Sequence, residues 1–266
     1  MRAKVSLLLI GTMVSASMFA AAATADAATT FPASGQTGAD ISYPQCGGSY
    51  SSDLSGQAFG IVGVNGGRPM EPNGCFTAEL AWEANLGATS SQQLYVNTAD
   101  PGNIVSDWPT GGSSPYGKCT SRHNKGANST ACAYVYGENE AHYDIGLVGA
   151  SAAGSYQWWL DVETANSWQG RHNLEMNQAS LDGMLAVLPQ GQVGVYSTSY
   201  QWGQIVGSKL DATSTSEGLG ALPQWIPTGQ GSASTAQADC QTIPRVTSGR
   251  LVYTQYTSGY DYDYAC

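Results

Sequence analysis

The stretch Gln157-Trp158-Trp159-Leu160-Asp161-Val162-Glu163-Thr164 passes from apolar to acidic within one short segment. An apolar run of this length, bounded by polar residues, reads as a strand buried on both faces. Side chains alternate along a strand, so Trp159, Asp161 and Glu163 share one face, with the two acidic Cβ atoms about 7 Å apart. Two carboxylates beside tryptophans are costly to bury unless they are hydrogen-bonded or share a proton. A like-charged neighbour and an apolar wall raise the pKa of one of them, which makes a carboxylic acid that can donate a proton near neutral pH. A solvated pair at a strand end and a cation site are the other readings.

Similar strand candidates recur on both sides of this one: Gly38–Ser42, Phe59–Asn65, Gln93–Asn97 and Gln192–Tyr196. Helical patterns lie between them, at Phe76–Leu86 (ended by Gly87), Cys132–Ala152 (interrupted by glycines), Leu174–Leu188 and Ser199–Lys209. Pro101–Thr130 is rich in Gly, Pro and Ser and reads as a long loop. After Lys209, Leu222–Ile226 and Leu251–Tyr256 read as strands with no helix evident between them. Strands buried on both faces and alternating with helices imply parallel β-α units. The expected fold is α/β, a single-domain irregular β/α (TIM-like) barrel of five β-α units closed by three helix-poor strands. In such a barrel, polar residues at the C-terminal ends of strands are where active sites form, and Asp161 and Glu163 have that position.

The first 27 residues read as an export signal. Arg2 and Lys4 precede an apolar run from Val5 to about Ala22, and Ala23-Thr24-Ala25 and Ala25-Asp26-Ala27 both fit small-residue cleavage sites. The run is short and rich in Ala and Ser, which argues against a membrane anchor, and the expected product is an extracellular chain from about Ala28 to Cys266. That product carries 8 basic and 19 acidic residues, and the full chain has a formal net charge of −10. Such a surface repels nucleic acid and anionic lipid, so neither is an expected partner. All six cysteines (Cys46, Cys75, Cys119, Cys132, Cys240, Cys266) lie in the exported part. An even count in an oxidising compartment reads as three disulfides. The pairs expected are Cys119–Cys132 across a local loop, Cys46–Cys75, and Cys240 with the terminal Cys266. Zinc is disfavoured because no C-x-x-C or H-x-x-x-H spacing exists. No metal or other cofactor is expected, and the chain is expected to be a monomer.

Asp40, near the end of the first strand and followed by Ser42 and Tyr43, could meet Glu163 across the barrel mouth; its other reading is a turn cap. Tyr260-Asp261-Tyr262-Asp263-Tyr264 lies beyond the last strand. It could supply a carboxylate and aromatic stacking, or be an exposed tail fixed by Cys266. Candidate substrate-binding residues are Tyr43, Tyr95, Trp159, Tyr196, Trp225 and Tyr256, with Asp261 and Asp263. His123, His142 and His172 form no triad with a serine motif, because G-x-S-x-G is absent. Glu138 and His142 have i, i+4 spacing that reads as a surface pair. Asn65-Gly66-Gly67-Arg68 reads as a tight polar turn without the spacing of a phosphate cradle.

Taken together, several segments resemble the family 25 glycoside hydrolases, secreted lysozymes that cut peptidoglycan between N-acetylmuramic acid and N-acetylglucosamine. They are Gly38-Ala39-Asp40-Ile41-Ser42, Trp159-Leu160-Asp161-Val162-Glu163, Val193-Gly194-Val195-Tyr196-Ser197, Pro223-Gln224-Trp225-Ile226, and Tyr253-Thr254-Gln255-Tyr256 with the aspartates that follow. The resemblance implies a barrel of five β-α units closed by three strands. It implies Glu163 as proton donor to the leaving sugar oxygen. Asp161 would orient the substrate N-acetyl group or stabilise a cationic intermediate, and Asp40 would help place acid and substrate. One of Asp261 or Asp263 would stand for the family's C-terminal aspartate. A D-x-E pair acting on N-acetylated sugars suits substrate-assisted retention. The chain departs from the pattern at Asn65–Arg68, where the lysozymes usually carry a lysine-threonine-like segment with an acidic residue. The long loop and the six cysteines are further departures. The expected partner is a cell-wall polysaccharide or amino-sugar oligosaccharide. The alternatives are a non-catalytic glycan-binding module on the same barrel and a disulfide-stapled structural protein.

Overall fold

The computed structural model describes residues 30–102, 107–120, 128–207 and 218–266. The expected export signal, His123 and the end of the helix expected to reach Lys209 lie outside the described residues. In chain order the elements are β1 (Thr37–Ile41), α1 (Tyr50–Asp53), β2 (Gly60–Gly63), α2 (Phe76–Asn85), β3 (Gln93–Asn97), β4 (Gly111–Ser114), β5 (Gly117–Thr120) and α3 (Thr130–Val148). They continue as β6 (Gln157–Asp161), α4 (Leu174–Val187), β7 (Val193–Tyr196), α5 (Ser199–Ile205), β8 (Gln224–Gln230), α6 (Ala233–Thr242), β9 (Leu251–Ser258) and β10 (Tyr260–Ala265).

Eight strands close a barrel in the order β1-β10-β9-β8-β7-β6-β3-β2. Neighbours run parallel except around β10, which is antiparallel to both β9 and β1. This is the expected irregular β/α barrel, with three corrections. The acidic-aromatic segment 260–264, expected to lie beyond the last strand, is itself β10, the strand that closes the barrel. A helix, α6, does separate β8 from β9. Its sequence hides it, because only Ala236 and Cys240 are buried and no apolar stripe forms. Its start is fixed instead by the Ser232 cap, and the Cys240–Cys266 disulfide ties it to the end of β10. Finally, the expected loop 101–130 contains the hairpin β4–β5, packed on α3.

Strand alternation divides the core into two shells. Trp158, Leu160 and Val162 face outward and pack under the helices. Trp159 faces the barrel interior with Phe59, Ile61, Trp225 and Tyr253. There the Trp159 indole N–H donates to Gln93 Oε1 at 3.0 Å, and Gln93 Nε2 lies 2.7 Å from the Tyr253 hydroxyl. The polar ends of Trp159 and Tyr253 are thus satisfied inside the barrel.

The glycines inside α3 and α4 have a packing reason. A Cβ on Gly137 would meet the Ser180 carbonyl oxygen at 1.8 Å, and one on Gly183 would meet the Tyr134 carbonyl oxygen at 2.1 Å. The two helices approach backbone to backbone, which side chains at these positions would prevent. All six cysteines are paired as expected, Cys46–Cys75, Cys119–Cys132 and Cys240–Cys266. Among the described residues no helix is long and apolar enough to cross a membrane.

Candidate active site

The parallel strands bring their C-terminal ends to one rim. Asp40 is near the end of β1, Tyr95 lies on β3, Asp161 ends β6, Glu163 follows two residues later, and Tyr196 ends β7. Trp225 and Gln255 come from β8 and β9. Because β10 is antiparallel, its beginning reaches the same rim, and Asp261 stands in register opposite Asp40. These eight residues line a cleft of about 160 Å³. Four of them are carboxylic acids and none is basic.

Three of the carboxyls are held by neutral amides. Asp161 Oδ2 accepts a short hydrogen bond from Asn97 Nδ2, while its Oδ1 has no hydrogen-bond partner among the described residues. Asp40 Oδ2 accepts from Gln255 Nε2 at 2.7 Å, and Gln255 Oε1 accepts from the Tyr196 hydroxyl at 2.8 Å. Glu163 Oε1 accepts from Gln201 Nε2 at 3.0 Å. The fourth, Asp261, accepts from the Thr257 hydroxyl at 2.6 Å. Behind Asn97 stands Asn65, wholly buried, whose Oδ1 accepts from the Asn97 backbone N–H at 2.9 Å. The polar turn after β2 therefore begins with a brace for the residue that holds Asp161.

Burial, followed by the charges of Glu163 and Asp40, pushes Asp161 well above the usual carboxylate range, and the Asn97 bond only partly opposes this. Burial and the facing Asp261 do the same to Asp40, against the Gln255 bond. Tyr95 and Tyr196 are pushed up by burial and the same carboxylates, so both phenols stay protonated donors. The pattern is a set of crowded carboxyls whose burial, and then mutual repulsion, favour keeping protons on the buried members.

Some expected site residues lie elsewhere. Trp159 is on the same face as Asp161 but one layer deeper, fully buried, and forms floor packing. Asp263 is likewise one step below Asp261 on β10; it is fully buried, its oxygens lack close partners, and burial and Asp40 raise its pKa despite the nearby Trp225 indole. Tyr256 alternates out of phase with Gln255 and stacks on Tyr262, with ring centroids 5.4 Å apart. Tyr43 is half exposed in the turn after β1, beside Gly67, and does not line the cleft. Gln255, Asn97 and Gln201 were not among the expected site residues. Gln255 was discoverable, since it shares strand parity with the inward Tyr253; nothing local marks Gln201.

No protein-family model matches this sequence, and no curated protein does. Solved structures do resemble it. A muramidase from Acremonium alcalophilum has a TM-score of 0.52 at 15% identity, over 87% of this chain and 93% of that one. A family GH25 lysozyme from Aspergillus fumigatus gives the same figures, a TM-score of 0.52 at 15% identity over 87% and 93%. A bacterial lysozyme from Streptomyces coelicolor has a TM-score of 0.50 at 18% identity, over 87% and 91%. The chain has a GH25-like lysozyme fold.

Proposed function

We propose that the chain is an exported glycoside hydrolase that cleaves β-1,4 bonds in peptidoglycan or a related N-acetylhexosamine polymer, with Glu163 as general acid. One observation carries this reading: Asp40, Asp161, Glu163 and Asp261 converge on one aromatic-walled cleft at the C-terminal rim of a lysozyme-type barrel. Glycoside cleavage needs a carboxylic acid to protonate the leaving oxygen and a second group to meet the cationic carbon. In the proposed reaction Glu163 gives its proton to the glycosidic oxygen as that bond breaks. The carbonyl oxygen of the substrate's own N-acetyl group bonds to C1 from the opposite face, and Asp161 orients it and balances the positive charge. Glu163, now a carboxylate, takes a proton from water, which opens the cyclic intermediate with net retention. Asp40 and Asp261 help place the sugar, and Tyr95, Tyr196 and Trp225 offer donors and faces to its ring. The three disulfides support an oxidising, extracellular setting for a mature barrel domain beginning near Ala28.

The test is release of reducing ends from peptidoglycan and from chitin-type oligosaccharides by the mature protein, scanned over pH, beside Glu163→Gln. Activity in the wild type and a loss of at least about 100-fold in the variant is expected, within the usual worth of a general acid. No hydrolysis by the wild type at any pH overturns the reading. If oligosaccharide binding then persists unchanged in Glu163→Gln, the chain is a glycan-binding module instead.

A further inference from the structure

Gln201 does not line the cleft, yet it makes the hydrogen bond that fixes the group assigned above as the acid. It is the third residue of α5, placed there by the Thr198 cap, whose hydroxyl accepts from the Gln201 backbone N–H at 3.1 Å. Its carboxamide oxygen accepts from both the Thr164 backbone N–H at 2.6 Å and the Thr164 hydroxyl at 3.0 Å. A backbone N–H can only donate, so the amide oxygen must face Thr164 and the amide nitrogen must face Glu163. The contact at 3.0 Å to Glu163 Oε1 is therefore an N–H donor meeting a carboxyl oxygen. Thr164 follows Glu163 in sequence, so the three residues form a closed ring around one carboxyl.

We infer that Gln201 is the positioning residue of the reaction: it occupies Oε1 of Glu163 as an acceptor, leaves Oε2 as the oxygen that carries the proton into the cleft, and stabilises the carboxylate once the proton has gone. The inference rests on the hydrolase reading. An oxygen that accepts an N–H bond is a poor place for a proton, so the neutral acid presents its hydroxyl on the other oxygen. As the proton leaves, negative charge grows on the carboxylate, and the same amide bond becomes charge-assisted and stronger. The interaction strengthens toward the transition state, so its loss falls on kcat rather than on substrate binding. The two Thr164 donors polarise the amide in the same sense. The donor is a neutral amide and not a cation, so it orients the carboxyl through one directed hydrogen bond.

The test compares Gln201→Leu and Gln201→Glu with wild type. A bond to a group becoming charged corresponds to a loss in kcat of about 10- to 100-fold in Gln201→Leu, with KM within about twofold and an unchanged thermal midpoint. Gln201→Glu keeps the acceptor for Thr164 and can donate to Glu163 only while protonated. It should approach wild-type kcat at acid pH and lose it as pH rises, a dependence that a purely structural role would not give. A wild-type kcat in Gln201→Leu, or equal losses in both variants at every pH, overturns the inference while leaving Glu163→Gln to judge the hydrolase reading by itself. If the wild type proves inactive, the inference falls together with the hydrolase reading on which it rests.

Discussion

Glu83 makes the clearest prediction about the protein's stability. It is a helical residue of α2, turned under the sheet and only 3% exposed. One oxygen accepts the Gln93 backbone N–H at 2.6 Å and the other lies 3.5 Å from Gln92 Nε2, and among the described residues neither meets a cation. Burial outweighs the backbone bond and raises its pKa from 4.5 to about 8. The sign follows from linkage. Between those values the folded state holds a proton that the unfolded state has released, so the contribution of Glu83 to stability is greatest below about pH 4.5 and falls as pH rises toward 8. Over a span of ~3.5 pH units, at ~1.4 kcal/mol per unit, the loss is roughly 5 kcal/mol. Glu83→Gln removes the titration and keeps an acceptor for the Gln93 N–H. Urea unfolding followed by tryptophan fluorescence should give similar stabilities for variant and wild type at pH 4. The variant should become more stable by several kcal/mol at pH 8, with an unchanged m-value. Asp100, fully buried with a pKa raised to about 6, predicts a smaller effect of the same sign that saturates above that pH. Equal pH slopes for Glu83→Gln and wild type would refute the reasoning, because they would mean that Glu83 is already ionised in the fold.

Gly137→Ala puts a methyl group 1.8 Å from the Ser180 carbonyl, so α3 and α4 must separate; a loss of about 3 kcal/mol is expected in thermal or urea unfolding, where a neutral effect would show that the helices yield easily. Replacing both Cys119 and Cys132 by Ser opens a loop spanning 13 positions and should cost about 3 kcal/mol, seen as a lower thermal midpoint with the far-ultraviolet circular dichroism retained.

The barrel was legible because its strands are apolar on both faces and its helices carry periodic apolar residues, with Leu174 and Leu181 on α4 and Leu188 at its C-terminal cap the clearest case. The closing third was less so, for two physical reasons. The α6 sequence Ala233–Thr242 lacks an apolar stripe and is held by a cap and a disulfide, neither of which hydropathy detects. The β10 sequence alternates tyrosine with aspartate, which reads equally as a solvated tail and as a supplier of carboxylates unless its inward face is already known to be acidic. There Asp261 and Asp263 take the inward positions, and the cost of burying Asp263 appears as a raised pKa instead of an ion pair. The weak signal at α3 has a related cause. A glycine that lowers helix propensity is indistinguishable, in sequence, from one that lets two backbones touch.

The site divides along the same line. Asp40, Asp161 and Glu163 could be singled out because an acid at the end of an apolar strand is conspicuous. The groups that orient them are Asn and Gln, whose amides carry no such mark: Asn97 holds Asp161, Gln255 holds Asp40, and Gln201 holds Glu163. That choice of partner has a chemical consequence. Among the described residues the one ion pair is Arg68 with Glu71, exposed on the surface and 4.0 Å apart. A buried carboxyl facing a guanidinium is locked in its charged form, whereas one facing an amide is oriented yet remains free to hold a proton. The same economy of cations runs through the interior, at Glu83, Asp100, Glu140 and Asp144, all buried and all raised. A cleft of amide-held acids and an interior whose buried carboxyls favour their protonated forms are therefore two results of one feature: carboxyls set among neutral donors.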